Sequence, residues 1–334
     1  MNGKDYVLKM LEEHKGESIS GHLLAQTLGL SRTAIWKYID QLRKEGYQID
    51  AVRNKGYFLQ TESDLLSKEG IGLYLKDKSL IPSIHVYKTI DSTNVLAKQL
   101  AVAGAPHGTL VISEEQTAGR GRLGRTFYSP ANSGIYMSLI LRPKESIQNA
   151  LLITIAASVV VHLAIKKLTG IETKIKWVND LYLQDKKVCG ILTEAGSNFE
   201  SGEVEYIVLG IGLNVRTALD AFPDDLKRIA TSLFDPLNKS QTRNELVAEI
   251  MNEMLAVSEK LADRDYLKIY KASSNVLNQE IEIIRGSSKE VAKAIDIDEF
   301  GGLMVVTEDG FQKVLNSGEI SIRRKSSDDS HGCG

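Results

Sequence analysis

The sequence predicts an α+β protein with three units in order along its 334 residues. Three helix patterns followed by a hairpin pattern in the first 60 residues are typical of a winged helix-turn-helix. Strand and helix patterns then mix, with hairpin-length gaps between strands, which favours a largely antiparallel mixed sheet with packed helices over a doubly wound fold. Short strands separated by Gly and Ser turns end the chain and predict a small β-barrel. The units are expected at 1–65, 66–272 and 273–325, with a disordered tail at 326–334.

Composition and charge exclude several protein classes. Lys and Arg number 41 against 43 Asp and Glu, a net charge of −2, so any nucleic-acid contact must come from a local patch. Only two cysteines, Cys189 and Cys333, are present, which excludes a disulfide scaffold and a cysteine-rich zinc site. The N-terminus lacks the apolar core of a signal peptide, and the longest apolar stretch, 150–165, is shorter than a spanning helix requires. We expect a buried helix there and a cytoplasmic protein without membrane contact.

Local signals define the first unit. Apolar spacing predicts three helices, at 5–13, 21–28 and 32–45. In the second helix, Leu23, Leu24 and Leu28 are expected to point inward. Ser31 is expected to cap the third helix and Gly46 to end it. The hairpin strands are predicted at 47–52 and 57–60.

The charge of this unit favours DNA binding. Residues 32–55 carry six basic and three acidic side chains, and two of the basic ones fall at the predicted turn of the wing. The first turns of the third helix are where recognition helices meet base edges. The DNA-binding candidates are Ser31, Arg32, Thr33, Trp36, Lys37, Arg53 and Lys55. The alternative is a winged helix used for protein contacts or dimerisation.

Periodicity places the remaining elements. A polar linker and a short helix are expected within 61–80. Central strands are predicted at 83–89, 108–113, 134–141, 174–177, 181–183, 187–194 and 204–215. Central helices are predicted at 94–103, 150–168 and 243–261. The strands of the last unit are predicted at 281–284, 291–297, 303–306 and 310–315.

The densest chemical signal is the segment 116–125, Gln-Thr-Ala-Gly-Arg-Gly-Arg-Leu-Gly-Arg. Exposed backbone N–H groups beside guanidinium forks suit a phosphate or carboxylate, and such a loop is expected to be mobile until an anion orders it. Its Gly-x-Gly-x-x-Gly spacing also matches a dinucleotide fingerprint, but Pro130 and Gly134 oppose the helix that fingerprint needs. An RNA-binding Gly-Arg segment is a further alternative, although only one copy is present.

Three weaker motifs accompany this segment. Asn179-Asp180 ends one predicted strand and Lys187 begins the next, although a polar turn and a surface lysine explain them equally well alone. Residues 89–94 lie between a strand and a helix, where plain helix capping is the alternative. Glycines within 210–215 would let a ligand or another backbone come close to the strand.

Taken in order, these motifs resemble those of the biotin–protein ligases. The matching stretches are Ser-Thr-Asn at 92–94, the segment 116–125, Lys-Trp-x-Asn-Asp at 176–180, Lys-x-x-Gly-Ile-Leu at 187–192 and Gly-Ile-Gly-x-Asn at 210–214. Val178 departs from the pattern, where the family has proline. The spacing to Gly190 selects Lys187 over Lys186 as the family's lysine. With the winged helix and the barrel, the resemblance points to the bifunctional class, a ligase that also represses the biotin operon.

The resemblance implies a fold, a reaction and partners. The central unit is then like a class II synthetase and the last unit is an SH3-like β-barrel. ATP activates biotin to biotinyl-5′-AMP, and a lysine of the biotin carboxyl carrier protein of acetyl-CoA carboxylase accepts the biotin. Mg²⁺ is expected to accompany ATP. The adenylate is expected to promote a homodimer that binds operator DNA and represses biotin genes.

The resemblance also assigns site residues, without a protein metal site. The catalytic residues are Arg120, Arg122 and Lys187. The biotin-binding residues are Ser92, Thr93, Asn94, Gln116, Arg120, Gly121, Arg122, Lys187, Gly190 and Gly210. The nucleotide-binding residues are Gly119, Arg122, Phe127, Asn179, Asp180, Lys187, Gly212 and Asn214.

Three other functions compete with this interpretation. A lipoate–protein ligase would share the catalytic fold, but the Gly-Arg segment and the winged helix count against it. A ligand-sensing regulator without ligase activity would not need Lys187 and a full set of arginines. A nucleic-acid-modifying enzyme would need a catalytic carboxylate cluster, and none is evident.

Overall fold

The computed structural model describes residues 2–143, 150–197, 204–235, 243–285, 288–316 and 319–322. The tail predicted at 326–334, which contains Cys333, lies outside these residues.

The first unit is a winged helix-turn-helix, as predicted. Its elements are α1 Gly3–Glu13, β1 Ser18–Ile19, α2 Gly21–Leu28, α3 Arg32–Glu45, β2 Ile49–Val52 and β3 Gly56–Leu59. The strands form an antiparallel sheet in the order β1-β3-β2, and β1 is a strand that the sequence pattern did not predict. Ser31 caps α3 by accepting a hydrogen bond from Ala34 N–H, and Gly46 ends it in the left-handed conformation. The inward placement of Leu23 was wrong, since this side chain is 50% exposed; α2 buries Leu24 and Ala25 instead.

The central unit is a seven-stranded mixed sheet. Its helices are α4 Lys68–Tyr74, α5 Thr93–Val102, α6 Ala150–Thr169, α7 Arg243–Ser258 and α8 Tyr266–Ser273. Its strands are β4 Ile84–Tyr87, β5 Leu110–Ser113, β6 Gly134–Leu141, β7 Lys174–Lys176, β8 Asp180–Leu183, β9 Lys186–Ser197 and β10 Val204–Asn214. The order is β4-β5-β6-β10-β9-β8-β7; β4 and β5 are parallel and every other pair is antiparallel. The mixed, largely antiparallel sheet is therefore confirmed.

Helices cover the two faces of this sheet unequally. Helix α5 packs on one face, where Ala97 and Ala101 meet Val111, Ile140 and Val208. Helices α6, α7 and α8 pack on the opposite face of the sheet, where they form the main apolar core with it. The apolar helix α6 meets a length and composition test for a membrane span, but two thirds of the tested stretch is buried inside the protein. It is the buried core helix that the sequence predicted.

The last unit is a five-stranded antiparallel sheet. Its strands are β11 Glu280–Arg285, β12 Ser288–Ile297, β13 Leu303–Thr307, β14 Gln312–Leu315 and β15 Glu319–Ile322, in the order β14-β13-β12-β11-β15. Its apolar side chains continue the core of the central unit. Trp177 in the central unit donates its indole N–H to the carbonyl of Gly301 at 3.0 Å, which joins the two units directly. Closure into an SH3-like barrel and the domain limits stay predictions.

A buried charge cluster anchors the linker between the first two units. Arg243, at the start of α7, is 2% exposed and contacts the carboxylates of Asp64 and Glu114 at 3.1 and 2.7 Å. Arg216 also meets Asp64, at 2.8 Å. Glu114 accepts the backbone N–H of Leu66 at 2.7 Å, so the linker is bonded to the end of β5. Because buried charges are costly unless paired, this cluster fixes where the linker joins the sheet.

Candidate functional site

A cavity of about 400 Å³ opens on the α5 face of the central sheet, beside the start of α5. Of the residues predicted to bind biotin or nucleotide, the following line it: Ser92, Thr93, Asn94, Gln116, Arg120, Gly121, Arg122, Phe127, Asn179, Asp180, Lys187, Gly190, Gly210, Gly212 and Asn214. Gly119 does not line it. Segments far apart in sequence therefore meet at one place.

The Gly-Arg segment folds back on itself as a small hairpin. The N–H of Gly121 donates to the carbonyl of Arg125 at 2.7 Å, and the N–H of Phe127 donates to the carbonyl of Gly119 at 2.9 Å. A Cβ added to Gly119 would lie 2.4 Å from the carbonyl oxygen of Phe127. Gly119 is thus required by the hairpin, which explains why it does not face the cavity.

The tip of this hairpin is a short 3-10 turn, Arg122–Gly124. Leu123 within the turn has a φ of 56°, and its side chain is largely exposed. Between this turn and β6 the chain has no helix, so the rejection of the dinucleotide fingerprint is confirmed. Mobility of the segment without an anion stays a prediction.

The ring of Phe127 lies on the glycines of β9 and β10. A Cβ on Gly212 would lie 2.5 Å from this ring, and one on Gly190 would lie 3.4 Å from it. Gly190 and Gly212 are directly opposite each other in the sheet, so together they form a flat floor. Tyr136 meets the ring edge to face at 6.4 Å. The floor can therefore accommodate a planar ring, and in this structure the ring of Phe127 lies on it.

Asn94 is held rigidly at the back of the cavity. Its amide N–H donates to Glu194 at 3.0 Å, and its amide oxygen accepts from the hydroxyl of Ser138 at 2.6 Å. A Cβ on Gly210 would lie 2.1 Å from that oxygen. Gly210 therefore makes room for Asn94, where the sequence suggested room for a ligand or a backbone. Burial by itself would raise the pKa of Glu194. Hydrogen bonds from Lys98 and Asn94 outweigh this effect and hold the pKa of Glu194 below its usual value.

Gln116 and the start of α5 form the neighbouring wall. The side-chain oxygen of Gln116 accepts the backbone N–H of Thr93 at 2.8 Å and its hydroxyl at 3.1 Å, and the amide donates to Ser129. Ser92 occupies the N-cap position of α5, but its side chain makes no capping hydrogen bond. The capping alternative for this motif therefore does not account for Ser92, whose buried hydroxyl lines the cavity.

Two cations are oriented by the turn at 179–180. Arg122 donates to the side-chain oxygen of Asn179 at 2.9 Å, and Asn179 donates to the carbonyl of Ile191 at 2.8 Å. The ammonium of Lys187 lies 2.6 Å from Asp180 Oδ1. Asp180 Oδ1 is buried and accepts no hydrogen bond of standard geometry, so the contact with Lys187 is described as an ion pair. Asn179 and Asp180 thus hold the two cations and are more than a polar turn.

The choice between two adjacent lysines follows from their contacts. Lys187 lines the cavity, whereas the ammonium of Lys186 donates to the carbonyl of Lys227 at 3.0 Å and does not line it. The spacing argument for Lys187 agrees with this placement.

Val178, the departure from the family pattern, is buried beside the turn. The peptide bond between Trp177 and Val178 is cis. The hydroxyl of Tyr270 donates to the carbonyl of Val178 at 3.0 Å, and burial raises the pKa of Tyr270 well above its usual value. Helix α8, which carries Tyr270, was not predicted, so this support for the turn was missed.

Sequence reasoning also missed part of the cavity wall. Further lining residues include Arg125, Lys176, Tyr182, Phe222, Leu226, Ile229, Ala230 and Ile320. Arg125 and Lys176 lie inside the quoted motifs, so their charge was a usable signal. The segment containing Phe222 and Ile229 has no such signal, because its apolar residues reach the cavity through the course of a loop.

The DNA-binding candidates meet at a second place. Arg32, Thr33, Trp36 and Lys55 line one groove between α3 and the wing, and Trp36 is 53% exposed. Lys37 and Arg53 are exposed but lie outside the groove, and Ser31 acts as the N-cap of α3. His22 and Asn54 also line it and were not predicted.

Comparisons with known proteins identify the family. Residues 86–214 match the Biotin/lipoate A/B protein ligase family, residues 4–58 match the HTH domain, and residues 276–323 match the Biotin protein ligase C terminal domain. The Bifunctional ligase/repressor BirA of Bacillus spizizenii is 38% identical over 321 residues, which cover 93% of this chain and 96% of that protein. The chain belongs to the bifunctional ligase/repressor family.

Other members agree over most of their length. The Escherichia coli Bifunctional ligase/repressor BirA is 32% identical, covering 92% of this chain and 94% of that one. A solved structure of the Aquifex aeolicus biotin protein ligase, in complex with biotin and ATP, matches 72% of this chain and 98% of its own at 30% identity and a TM-score of 0.61. The resemblance to bifunctional biotin–protein ligases and the three-part fold class are confirmed.

Proposed function

We propose that this chain is an ATP-dependent biotin–protein ligase that also acts as a biotin-responsive repressor. Its relatives are named for both activities. The observation that carries the proposal is the charge of the cavity. The described lining residues include five basic side chains and one carboxylate, that of Asp180; the basic ones are Arg120, Arg122, Arg125, Lys176 and Lys187. Such a cavity suits a reaction between anions.

In the first step, a carboxylate oxygen of biotin attacks the α-phosphorus of ATP. The bond from that phosphorus to the β-phosphate oxygen breaks, and pyrophosphate leaves. Both reactants are anions, so their repulsion must be offset where they meet. Arg120, Arg122 and Lys187 supply this positive charge, and each charged hydrogen bond typically contributes about 1.5–3 kcal/mol.

In the second step, the amine of a carrier lysine attacks the carbonyl carbon of the mixed anhydride. An amide bond forms, AMP leaves, and the amine proton is released. The hydrogen bond from Arg122 to Asn179 holds this guanidinium in one orientation, so it can retain the adenylate between the two steps. We propose the biotin carboxyl carrier protein of acetyl-CoA carboxylase as the carrier.

Two parts of the cavity wall suit the two halves of the adenylate. Ser92, Thr93 and Gln116 place polar groups in one part, and we assign the ureido ring of biotin to them. The glycine floor under Phe127 is the other part, and we assign the adenine to this floor, packed against the Phe127 ring. The ring now covering the floor would have to shift to admit it. Asn94 then shapes the wall rather than binding ligand directly.

The residues present fit a magnesium ion that arrives with ATP. One buried oxygen in the cavity wall, Asn214 Oδ1, accepts no hydrogen bond from the described residues, and a second, Asp180 Oδ1, is paired only with the ammonium of Lys187; oxygen is the ligand that Mg²⁺ prefers. The described residues contain no group of three or more His, Cys, Asp or Glu side chains that could hold a metal. Bound Mg²⁺ would neutralise phosphate charge, with one or two of these oxygens beside its waters.

The winged helix supplies the second activity. Arg32, Thr33 and Trp36 on α3 line the same groove as Lys55 of the wing. This arrangement suits a recognition helix that reads base edges in the major groove while the wing contacts the DNA backbone. We propose that the adenylate promotes a homodimer, whose paired winged helices fit a two-fold operator. We assign the protein to the cytoplasm, where carrier and operator are both found.

The ligase activity is tested by mass spectrometry of a carrier domain. Purified protein, ATP and the carrier are incubated with biotin or with lipoate, and a reaction without ATP is the control. We expect the carrier mass to rise by one biotinyl group with biotin only. Modification by lipoate instead, or none with either acid, would refute the proposed substrate.

The repressor activity is tested by fluorescence anisotropy with a DNA duplex from upstream of the biotin genes. Biotin and ATP together should tighten binding, and Trp36→Ala should weaken it without altering ligase activity. Equal affinity with and without biotin and ATP would contradict a biotin-responsive repressor.

A further inference from the structure

A continuous row of hydrogen bonds leads from the protein surface to the start of α5 in the cavity wall. Lys98 donates to one carboxylate oxygen of Glu194 at 3.0 Å, and Asn94 donates to the other at 3.0 Å. The hydroxyl of Ser138 lies 2.6 Å from the amide oxygen of Asn94 and 2.8 Å from the hydroxyl of Thr93. Ser138 is fully buried and does not line the cavity, so it can affect a ligand only through these neighbours.

The register of the sheet explains why these groups meet. Ser138 of β6 is directly opposite Gly210 of β10. Because Gly210 has no side chain, Asn94 lies over it and comes within hydrogen-bonding distance of Ser138. Two small residues on neighbouring strands therefore let the first turn of α5, which carries Thr93 and Asn94, approach the sheet.

The proton of the Thr93 hydroxyl is used within the protein. A carboxylate only accepts hydrogen bonds, so the nitrogen of Asn94 faces Glu194 and its oxygen faces Ser138. If Ser138 donates to that oxygen, the Thr93 hydroxyl must donate to Ser138, because two oxygens 2.8 Å apart need a proton between them. If Ser138 donates to Thr93 instead, the Thr93 hydroxyl donates to Gln116 at 3.1 Å. In both arrangements Thr93 offers the cavity a lone pair and no proton.

The amide of Gln116 offers the opposite polarity. Its oxygen already has the backbone N–H and the hydroxyl of Thr93 as neighbours, at 2.8 and 3.1 Å. Its nitrogen donates one N–H to Ser129, which leaves the second N–H for the cavity that Gln116 lines. A fixed acceptor and a fixed donor therefore lie next to each other in the wall. A cyclic urea has the complementary pair, an N–H beside a carbonyl, whereas the dithiolane ring of lipoate has neither.

We propose that Ser138 is a positioning residue that sets the affinity of the cavity for the ureido ring of biotin. It holds the hydroxyl of Thr93 as an acceptor for a ureido N–H, while Gln116 donates to the ureido carbonyl. This role rests on the proposed ligase function and belongs to a buried residue that does not touch the ligand. Without Ser138, Asn94 loses the donor to its amide oxygen and Thr93 loses one of its partners, so the acceptor is no longer held toward the ligand.

The protein is varied first, and calorimetric titration of the full-length chain with biotin, without ATP, measures the affinity. Ser138→Ala removes the hydroxyl. Glu194→Gln keeps the size of the side chain but lets the amide of Asn94 turn, because a glutamine donates as well as accepts. Ser158→Ala is the matched control, since Ser158 is equally buried, donates to the carbonyl of Thr154 within α6 and does not line the cavity.

The ligand is varied second. Two biotin derivatives each carry a methyl group on one ureido nitrogen, so each lacks one N–H. The loss of affinity that methylation causes is compared between the wild-type protein and Ser138→Ala. The steric cost of the methyl group is common to both proteins, so the difference reports the hydrogen bond that Ser138 supports. Biotin-dependent ATP–pyrophosphate exchange then gives kcat and the KM for ATP.

We expect Ser138→Ala to weaken biotin binding about tenfold, the loss of one hydrogen bond, and Glu194→Gln to weaken it less. The kcat of exchange and the KM for ATP should stay at wild-type values, and Ser158→Ala should match wild type. For one of the two methylated derivatives, the loss of affinity on methylation should be smaller in Ser138→Ala by about tenfold.

Biotin affinity within about twofold of wild type in Ser138→Ala, an equal rise in the KM for ATP, or the same methylation penalty in both proteins would overturn this role. If Ser138→Ala does not fold, unchanged biotin affinity in Glu194→Gln would overturn it equally. A folded wild-type protein that neither binds biotin nor gives exchange would instead refute the ligase function on which the role rests.

Discussion

Substitution of Gly210 by alanine should destabilise the central unit by forcing Asn94 out of place. The added Cβ would lie 2.1 Å from Asn94 Oδ1 and 2.8 Å from its Cγ, both too close for any real contact. Asn94 is 4% exposed and held at both ends of its amide, by Ser138 and Glu194, so any displacement breaks these hydrogen bonds.

The magnitude follows from the two hydrogen bonds that would be lost. The neutral bond to Ser138 is worth about 0.5–1.5 kcal/mol and the charged bond to Glu194 about 1.5–3 kcal/mol. Partial relaxation of the wall returns some of this, so we expect Gly210→Ala to lower the free energy of unfolding by about 2–3 kcal/mol. Gly212→Ala should cost less, because the atom it meets belongs to the partly exposed ring of Phe127, which can swing aside.

Tryptophan fluorescence can follow this unit by itself. Trp177 is buried at 4% exposure in the central unit, and the other tryptophan, Trp36, is exposed in the winged helix. In a Trp36→Phe background, urea unfolding therefore reports the central unit. The double variant Gly210→Ala/Asn94→Ala has no clash. Its loss in the free energy of unfolding should therefore be smaller than the sum of the two single losses by about 1 kcal/mol or more. A Gly210→Ala protein as stable as its parent, or strictly additive costs, would refute this explanation of Gly210.

Three further predictions use other parts of the structure. Lys187→Met should abolish adenylate formation, whereas Lys186→Met, whose lysine points away from the cavity, should retain it in the same exchange assay. Burial holds the pKa of His162 below 6.5, so the folded protein binds fewer protons there than the unfolded chain does. The melting temperature should therefore fall as pH drops below 6.5, and His162→Gln, which keeps hydrogen-bonding groups without titrating, should flatten that dependence; an unchanged slope would contradict it. Arg243→Met leaves the buried Glu114 without its cation and Asp64 with Arg216 alone, and should cost about 3–5 kcal/mol in urea unfolding; a cost below about 1 kcal/mol would contradict that role.

Much of the fold was predictable because its signals are local. Helix α3 begins after Ser31 and ends at Gly46, as the sequence indicates, and α2 has the predicted bounds. The two-residue strand β1 has no pattern of its own and exists because it pairs with β3. Leu23 was misplaced because an eight-residue helix with several leucines does not reveal which of them faces the core. Helix α8 was missed because it is short and follows a turn-rich stretch.

The candidate site was predictable where its chemistry lies in contiguous motifs. Arg122, Asn179 and Lys187 come from three such motifs and meet in one cavity. The glycines were harder to interpret, since the atoms that require Gly210 belong to Asn94, which is far away in sequence. The charge cluster around Arg243 could not be foreseen, because its partners are joined by the fold and leave no spacing pattern.

Biotin-dependent ATP–pyrophosphate exchange by the purified wild-type protein is the most direct test of the central claim, that this cavity joins biotin to AMP. The cation-lined cavity predicts rapid exchange with biotin, none with lipoate and none without an acid. A folded protein that gives no exchange with biotin would contradict the claim, and would leave the cavity as a ligand sensor attached to a winged helix.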